Sequence, residues 1–294
     1  MKKSQDDFGI LKKLRMEFHA ELFKDCVRLR SPGVPSMADK DSIPSVGIAN
    51  AMTTLLGFPI PSGTITPQAV GSRFAKSTCI FLQRAFNLLA HLRPGNWSFS
   101  TTQGPEGIAK FAQYSHLASI ERVLDQHPEL RSSLGGDYLI KPDIVVGRQS
   151  VTDAEINSNQ RILAEGDNIA KRSPLRAGNV LDSPEVLHAT VSMKWSMRSD
   201  RAQNTRTEAL NVIRNRKGAT PRIVVVTMEP LPSRLASIAM GTGDIDCCYH
   251  AALEELLAGA AAFDLSGSEA DILRMLIDGE RLRDISDLPL DLAI

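Results

Sequence analysis

The sequence predicts an α/β fold, a mixed β-sheet flanked by α-helices, from the alternation of two kinds of apolar pattern. Residues 223–227 form a β-branched run typical of a central strand, and residues 187–195 alternate as a strand does. Helical spacing of apolar residues marks 6–24, 74–92 and 108–124. Since strands alternate with helices and neither repeats nor long linkers interrupt them, we expect one domain over residues 1–294.

The remaining segments complete this prediction. Residues 138–146 indicate a buried strand whose apolar run is interrupted by Asp143, and residues 200–215 indicate a helix capped by Ser199 or Asp200. The stretch 30–45, rich in proline, serine and aspartate, is typical of an exposed loop. We expect residues 249–276 to be mostly helical and residues 284–294 to form a short tail.

Composition limits the classes of protein to consider. With 294 residues, of which 43% are hydrophobic, the chain can bury a substantial core. Its 34 basic and 34 acidic residues balance, which argues against coating of nucleic acid by bulk charge. The four cysteines show no CxxC pair, so disulfides and structural zinc are not expected. Neither a secretory leader nor an apolar run of membrane-spanning length is evident, and we expect a cytoplasmic protein without membrane contact.

Positive charge is nevertheless concentrated in one segment. Between residues 194 and 222 only two acids, Asp200 and Glu208, accompany a basic set made of Lys194, Arg198, Arg201, Arg206, Arg214, Arg216, Lys217 and Arg222. A basic groove for a phosphate backbone is one interpretation. A solvated helix face is the alternative.

The candidate catalytic residues are Asp143, Ser192, Lys194 and Glu208. Ser192 and Lys194 would share a strand face, because strand side chains repeat every two residues. Glu208 would return about two turns along the following helix and supply the carboxylate that Ser192 lacks. Two carboxylates and a backbone carbonyl form an oxygen-only site, which suits Mg²⁺. Read alone, Asp143 could equally face solvent at a strand end, and Lys194 could point to water.

Residues that could recognise DNA bases lie just after Lys194 in the sequence. Arginine donates bidentately to guanine and aspartate accepts from cytosine, so Arg198, Asp200 and Arg201 suit G·C pairs in DNA. The alternative is an ordinary capped, salt-bridged helix start. Together with the catalytic set, these residues indicate a metal-dependent, sequence-specific DNA endonuclease.

At these positions the sequence resembles the NgoMIV-like type II restriction endonucleases, which belong to the CCGG-reading branch of the PD-(D/E)xK superfamily with a displaced glutamate. The resemblance runs from about residue 34 to the C-terminus, and residues 1–30 match poorly. It rests on Pro142-Asp143-Ile144, Arg93-Pro94-Gly95, residues 153–157, 175–179, 198–204 and 284–290. It implies a restriction-endonuclease-like fold, Mg²⁺ as cofactor, and a homotetramer that engages two double-stranded DNA sites.

Particular roles are implied by the same resemblance. Asp143 corresponds to the principal metal ligand, Ser192 and Lys194 to an S-x-K element, and Glu208 to the displaced acid, with Met193 contributing its carbonyl. The resemblance implies that the central CCGG is read by Arg198, Asp200 and Arg201. It implies that the outer G·C pair is read by Asp39 and Arg234, and that Gln68 contacts the minor groove. The implied site is GCCGGC, cut before the first cytosine to leave 5′ overhangs.

One departure from the family pattern leaves an alternative open. Where the family has a metal-site glutamate, this chain has Ala75, followed by Lys76. Loss of that carboxylate would weaken metal binding, so a catalytically impaired, sequence-specific DNA-binding protein of the same fold is the first alternative. A structure-specific nuclease, such as a junction resolvase, is a second alternative that the arginine and aspartate reading set disfavours.

Overall fold

The computed structural model describes residues 8–30, 32–101, 104, 107–134, 140–177, 183–197 and 199–294, without the side chains of residues 133, 134 and 199–201. A mixed sheet has six strands in the order β3-β4-β5-β6-β7-β8, and β1 and β2 form a separate pair. The strands are β1 (Leu29–Arg30), β2 (Val34–Pro35), β3 (Trp97–Ser100), β4 (Ile144–Arg148), β5 (Val186–Lys194), β6 (Arg222–Thr227), β7 (Cys247–His250) and β8 (Leu282–Asp284). This confirms the predicted α/β class with a mixed sheet.

The helices of the described chain lie between and around these strands. They are α1 (Ile10–Asp25), α2 (Ile43–Leu56), α3 (Pro67–Asn87), α4 (Leu117–Gln126), α5 (Pro128–Leu134), α6 (Asp153–Ile156), α7 (Ser199–Arg214), α8 (Pro232–Ala239), α9 (Leu253–Ala262), α10 (Gly267–Asp278) and α11 (Leu288–Leu292). A short 3-10 helix covers Gly107–Lys110. None of the described helices is long and apolar enough to cross a membrane.

By contacts the chain divides into two compact units. The first contains residues 1–93, 191–209 and 223–294, and the second contains residues 94–190 and 210–222. The expectation of a single domain over residues 1–294 stays a prediction.

In the first unit, β6, β7 and β8 pair in parallel, with Val224 opposite Cys247 and Cys248 opposite Leu282. Parallel strands need long crossovers, which α8 supplies between β6 and β7 and α9 and α10 supply between β7 and β8. Helix α2 packs closely against α9. Gly47 permits this approach, because a Cβ there would overlap the ring of Phe263.

The N-terminal helix of this unit is fixed by one partly buried cation, Arg15. Arg15 of α1 hydrogen-bonds Glu255 of α9 at 2.7 and 2.9 Å and Asp284 of β8 at the same distances. Burial would raise the pKa of Asp284, but the hydrogen bonds and charge of Arg15 lower it to about 2. Helix α1, which lies in the segment that resembles the family poorly, is therefore anchored to the core.

The second unit is organised around an antiparallel pair, β3 and β4, in which Trp97 lies opposite Arg148. The buried side chain of Gln113 donates to the carbonyl of Leu187 and accepts from its N–H, both within 2.9 Å. Tyr114 is fully buried and donates to the carbonyl of Val212 at 2.8 Å. These bonds hold the segment after the 3-10 helix against the start of β5 and the end of α7.

Several boundaries predicted from the sequence are wrong. The stretch 30–45 contains β1, β2 and the start of α2, and Val34, Met37 and Ala38 are buried rather than exposed. The helix predicted over 108–124 is a 3-10 turn followed by α4, and the helical region predicted over 249–276 begins with β7. The expected tail carries β8 and α11, with Ile285 and Leu292 fully buried. These predictions rest on local sequence pattern, whereas pairing and burial depend on contacts between residues that are distant in sequence.

Candidate functional site

The end of β5 places the S-x-K residues as predicted. Ser192 and Met193 are buried, at 9% and 6% exposure, whereas Lys194 is half-buried at the last strand position. The next residue, Trp195, contacts Phe74 of α3 edge-to-face, with ring centroids 5.2 Å apart. Lys194 is therefore held at the end of a strand that is anchored by the next residue, Trp195.

Position 75 lies beside this anchor. Ala75 follows Phe74 on the buried face of α3 and is only 5% exposed, whereas Lys76 faces outward. Thr78, one turn further along the same face, has a buried hydroxyl without a hydrogen-bond partner among the described residues. The departure from the family pattern thus falls on the helix face that packs next to the end of β5.

Glu208 lies on α7, which begins five residues after Lys194 and matches the predicted helix closely. Its side chain is exposed. Of the predicted inner reading set, Arg198 lies outside the described residues, and Asp200 and Arg201 lie on the first turn of α7 with side chains that are not described. Their predicted roles, and the predicted cap at Ser199 or Asp200, are not tested by this geometry.

Asp143 belongs to the second unit, where it directly precedes β4. The following residues, Ile144 to Val146, are buried, but Asp143 itself is exposed. The expectation that it interrupts a buried strand is wrong, because β4 begins after it. An exposed carboxylate at this position avoids the desolvation cost that burial within the strand would impose.

The donor set fits a hard divalent cation in chemistry. Asp143 and Glu208 present exposed carboxylates and Met193 presents a backbone carbonyl, so all donors are oxygens of the kind that Mg²⁺ prefers. Within the described parts of the chain, no group of three or more His, Cys, Asp or Glu side chains is placed to hold a metal. Two carboxylates and a carbonyl remain compatible with a cation that keeps several waters.

The predicted outer reading pair meets in the first unit. Arg234 of α8 forms an ion pair with Asp39, although the two are 195 residues apart in sequence. Both side chains are partly exposed, at 28% and 26%. The edges of guanine and cytosine are adjacent within one base pair, so neighbouring arginine and aspartate side chains suit that pair. The contact agrees with the predicted pairing, and base reading by it stays a prediction.

The backbone around Asp39 is fixed before any ligand arrives. Its N–H donates to the hydroxyl of fully buried Ser45 at 2.9 Å. Arg30 donates to the carbonyls of Pro35 and Ala38 at 3.2 and 2.5 Å. The Asp39 carboxylate also accepts from the N–H of Asp41, with the other oxygen facing Arg234. This loop therefore presents Asp39 in a defined orientation.

Glu229 is a polar residue of this region that sequence reasoning missed. It follows β6, is fully buried, and its carboxylate accepts from the N–H groups of Met197 and Leu231 at 2.7 and 3.1 Å. Its other near neighbour is the guanidinium of Arg234 at 3.9 Å. Burial raises the pKa of Glu229 to about 7, while the two N–H groups and Arg234 lower it and Asp39 raises it.

The backbone of Glu229 is held as firmly as its side chain. Its N–H donates to the Thr227 hydroxyl at 3.1 Å, and its carbonyl lies 3.2 Å from Nε2 of His250. Nδ1 of His250 accepts from the N–H of Ala252, so Nε2 carries the proton and donates. Burial lowers the pKa of His250 to about 4, which keeps this histidine neutral.

A signal for Glu229 was present in the sequence. It is the one charged residue in a largely apolar stretch, Ile223 to Leu231, whose pattern predicts only a strand ended by proline. A carboxylate in such a run is costly unless its oxygens are satisfied, which is the reason to look for partners. Those partners, at Met197 and Arg234, could not be identified from local pattern.

The other predicted contacts are more dispersed. Gln68, the predicted minor-groove residue, is exposed on the first turn of α3, which is capped by Thr66. Arg206, part of the basic segment, pairs with Asp244 at 2.5 Å and also donates to the carbonyl of Ile238 at the end of α8. At least this arginine is structural, so the local positive excess overstates the charge available to DNA.

Comparisons with known proteins identify the family of this chain. The profile of the NgoMIV restriction enzyme family matches residues 18–294. The type II restriction enzyme NgoMIV of Neisseria gonorrhoeae is 44% identical over 283 residues, which cover 95% of this chain and 97% of that protein. The solved structure of Bse634I restriction endonuclease aligns over 82% of this chain and 89% of its own at 14% identity, with a TM-score of 0.35 that is too low to bear on fold or function. On the family match and this identity, the chain belongs to the NgoMIV restriction enzyme family.

Proposed function

We propose that this protein is a type II restriction endonuclease that hydrolyses double-stranded DNA at GCCGGC in the presence of Mg²⁺. The observation that carries the proposal is 44% identity to the type II enzyme NgoMIV over nearly the full length of both chains. Both the catalytic set and the reading set fall inside that alignment or the matched family region.

In catalysis we assign Asp143, Glu208 and the Met193 carbonyl to the cation. The chemistry that Mg²⁺ supplies when bound is polarisation of the phosphate, activation of water and stabilisation of the leaving oxygen. The assignment of these donors to one centre rests on the family motif, since Asp143 belongs to a different compact unit from the other two.

Lys194 supplies the charge of the protein itself. Its ammonium, on the last residue of β5, would donate to a non-bridging phosphate oxygen and stabilise negative charge that develops during attack. The buried Ser192 hydroxyl lies two residues earlier on the same strand face and would orient a neighbouring polar group. A strand fixes the position of the lysine backbone, which favours this role.

Recognition divides between inner and outer base pairs. Arg198, Asp200 and Arg201 would read the central CCGG, and Asp39 with Arg234 would read the outer G·C pair. The ion pair between Asp39 and Arg234 supports the outer assignment because donor and acceptor are already side by side. Gln68 would reach the minor groove from its exposed position on α3. Cleavage before the first cytosine would leave 5′ overhangs.

The assembly we propose is a homotetramer engaging two sites at once, working in the cytoplasm where bacterial DNA is accessible. A plasmid with two GCCGGC sites tests function and specificity together. Incubation with Mg²⁺ and sequencing of the new ends should give cuts only at GCCGGC. A matched plasmid with both sites changed to ACCGGT should stay intact, and cutting of both plasmids alike would contradict the outer reading.

Two controls separate the alternatives. Lys194→Ala protein should bind the two-site plasmid and leave it uncut, which distinguishes this nuclease from a contaminating one. A four-way DNA junction without GCCGGC should not be cut, whereas cutting there would favour a structure-specific nuclease. Specific binding by the unaltered chain without any cleavage would favour the impaired binder suggested by Ala75.

A further inference from the structure

A buried carboxylate, that of Glu229, lies next to Arg234 of the proposed outer reading pair, Asp39 and Arg234. Glu229 is fully buried, and Arg234 lies between it and Asp39, with the Glu229 carboxylate 3.9 Å from the guanidinium. Arg234 thus pairs with two acids, with Nη1 near Glu229 and Nη2 near Asp39. A guanidinium held between two carboxylates has few rotamers available, so its donors keep one direction.

Glu229 also fixes two stretches of backbone. One oxygen accepts from the N–H of Leu231, the residue before α8, and the other accepts from the N–H of Met197. Leu231 leads into the first turn of α8, which carries Arg234, while Met197 directly precedes Arg198 in the chain. The buried Glu229 side chain therefore holds the start of the helix that carries Arg234. It also holds the residue before Arg198, which is assigned to the inner bases.

Burial of this charge is costly unless it is compensated. A carboxylate taken out of water loses several kcal/mol of hydration, and breaking its hydrogen bonds leaves that cost exposed. An apolar residue in the core next to β6 would pack without such a cost, as Val224 to Val226 do. Stability alone does not explain an acid at this position, whereas orientation of Arg234 does.

We propose that Glu229 is a positioning residue for recognition of the outer base pair, acting through Arg234. This inference rests on the proposed function and deepens it, because it identifies what holds the outer reader in place. Glu229 itself touches no base. Its effect should appear as discrimination between outer base pairs and should vanish when Arg234 is absent.

The test is a double-mutant cycle of Glu229→Gln and Arg234→Ala in the full chain. For each protein kcat/KM is measured with Mg²⁺ at about pH 8, where the Glu229 carboxylate is mostly charged. The duplexes are GCCGGC, ACCGGT with the outer pair changed, and GCATGC with the inner pairs changed. We expect Glu229→Gln to lower the preference for GCCGGC over ACCGGT by about fivefold or more, the lower end of one bidentate contact. It should add nothing in the Arg234→Ala background.

Glu269→Gln is the matched control. Glu269 also accepts from the N–H of a residue on the first turn of α8, Ser233 at 2.9 Å, but it makes no described contact with Arg234. It should leave the outer preference unchanged. Thermal midpoints of all variants separate loss of folding from loss of discrimination. If Glu229→Gln does not fold, Glu229→Asp replaces it, since a shorter carboxylate keeps its charge and retreats from Arg234.

Three results are decisive. Loss of outer discrimination that disappears in the Arg234→Ala background supports the inference. An equal loss on all three duplexes, or an additive effect in the cycle, means that Glu229 is merely structural and overturns it. Failure of the unaltered chain to prefer GCCGGC over either other duplex would instead overturn the proposed function, and the inference with it.

Discussion

Replacement of Arg234 by lysine separates shape from charge at the outer reading pair. Lysine keeps a positive charge between Asp39 and Glu229 but lacks the planar fork that donates two parallel hydrogen bonds. If Arg234 reads guanine bidentately, the substitution removes the specific part of the contact. If it serves only to neutralise the two acids, lysine should substitute for it.

The structure gives the two effects different sizes. Arg234 and Asp39 are 28% and 26% exposed, so their ion pair contributes at most about 1 kcal/mol to folding, and lysine retains part of that. A lost bidentate base contact costs about 1–3 kcal/mol of discrimination, equivalent to about 5-fold to 150-fold. We therefore expect a large loss of specificity with little loss of stability.

The assay is the ratio of kcat/KM for GCCGGC to that for ACCGGT, with the thermal midpoint measured on the same preparations. Arg206→Lys provides the control, since Arg206 has the same 28% exposure and also pairs with an aspartate, Asp244. That variant should lose stability, because Arg206 also binds the carbonyl of Ile238, while its specificity stays unchanged. Unchanged discrimination in Arg234→Lys would refute the reading role and leave only charge compensation.

Four further outcomes follow from particular residues. Lys194→Ala should abolish cleavage while binding to GCCGGC, measured by fluorescence anisotropy, stays within about threefold, since one phosphate contact contributes little to affinity; equal loss of both would contradict its catalytic role. Ala75→Glu buries a carboxylate at a position that is 5% exposed, so it should lower the thermal midpoint without Mg²⁺ and recover it as Mg²⁺ is added; no recovery would remove position 75 from the metal site. Arg15→Ala leaves two acids without their cation and should lower the free energy of unfolding by about 3–5 kcal/mol at pH 7, measured with denaturant. Because the pKa of Asp284 is depressed to about 2, this loss relative to the parent should shrink as pH falls below about 4. A loss that stays constant with pH would argue against the ion pair. Glu229→Gln should gain stability relative to the parent as pH rises from about 4.5 to about 7. The raised pKa of Glu229 makes its deprotonation destabilise the folded parent through that window, whereas glutamine does not titrate. A stability difference that does not change with pH would mean that the carboxylate is not desolvated.

The candidate site shows how far local pattern reaches. Strand β5 and helix α7 were predicted within a residue or two, because period-two alternation and helical spacing depend only on neighbours along the chain. The positions of Ser192 and Lys194 followed from that period. The boundary at Asp143 was wrong, since an apolar run does not reveal where strand pairing begins.

Segments judged by composition alone were predicted less well. The stretch 30–45 has the residues of an exposed loop, yet it includes buried Met37 and the fixed backbone of Asp39. The last residues read as a tail, yet Leu292 is fully buried in α11. Polar and turn-forming residues raise the local preference for a loop, but packing against distant elements outweighs that preference.

The sequence by itself determined the α/β class, the strand that carries Lys194, and the family to which the chain belongs. Short-range periodicity and matched motifs are enough to predict those features. Local pattern gives no sign of the contact between Arg234 and Asp39, which only the family resemblance implied, and the tertiary structure alone decided that Glu229 lies buried beside Arg234. The reason is physical: residues 195 positions apart have no local signal in common, and only the folded chain brings their charges together and removes the water between them.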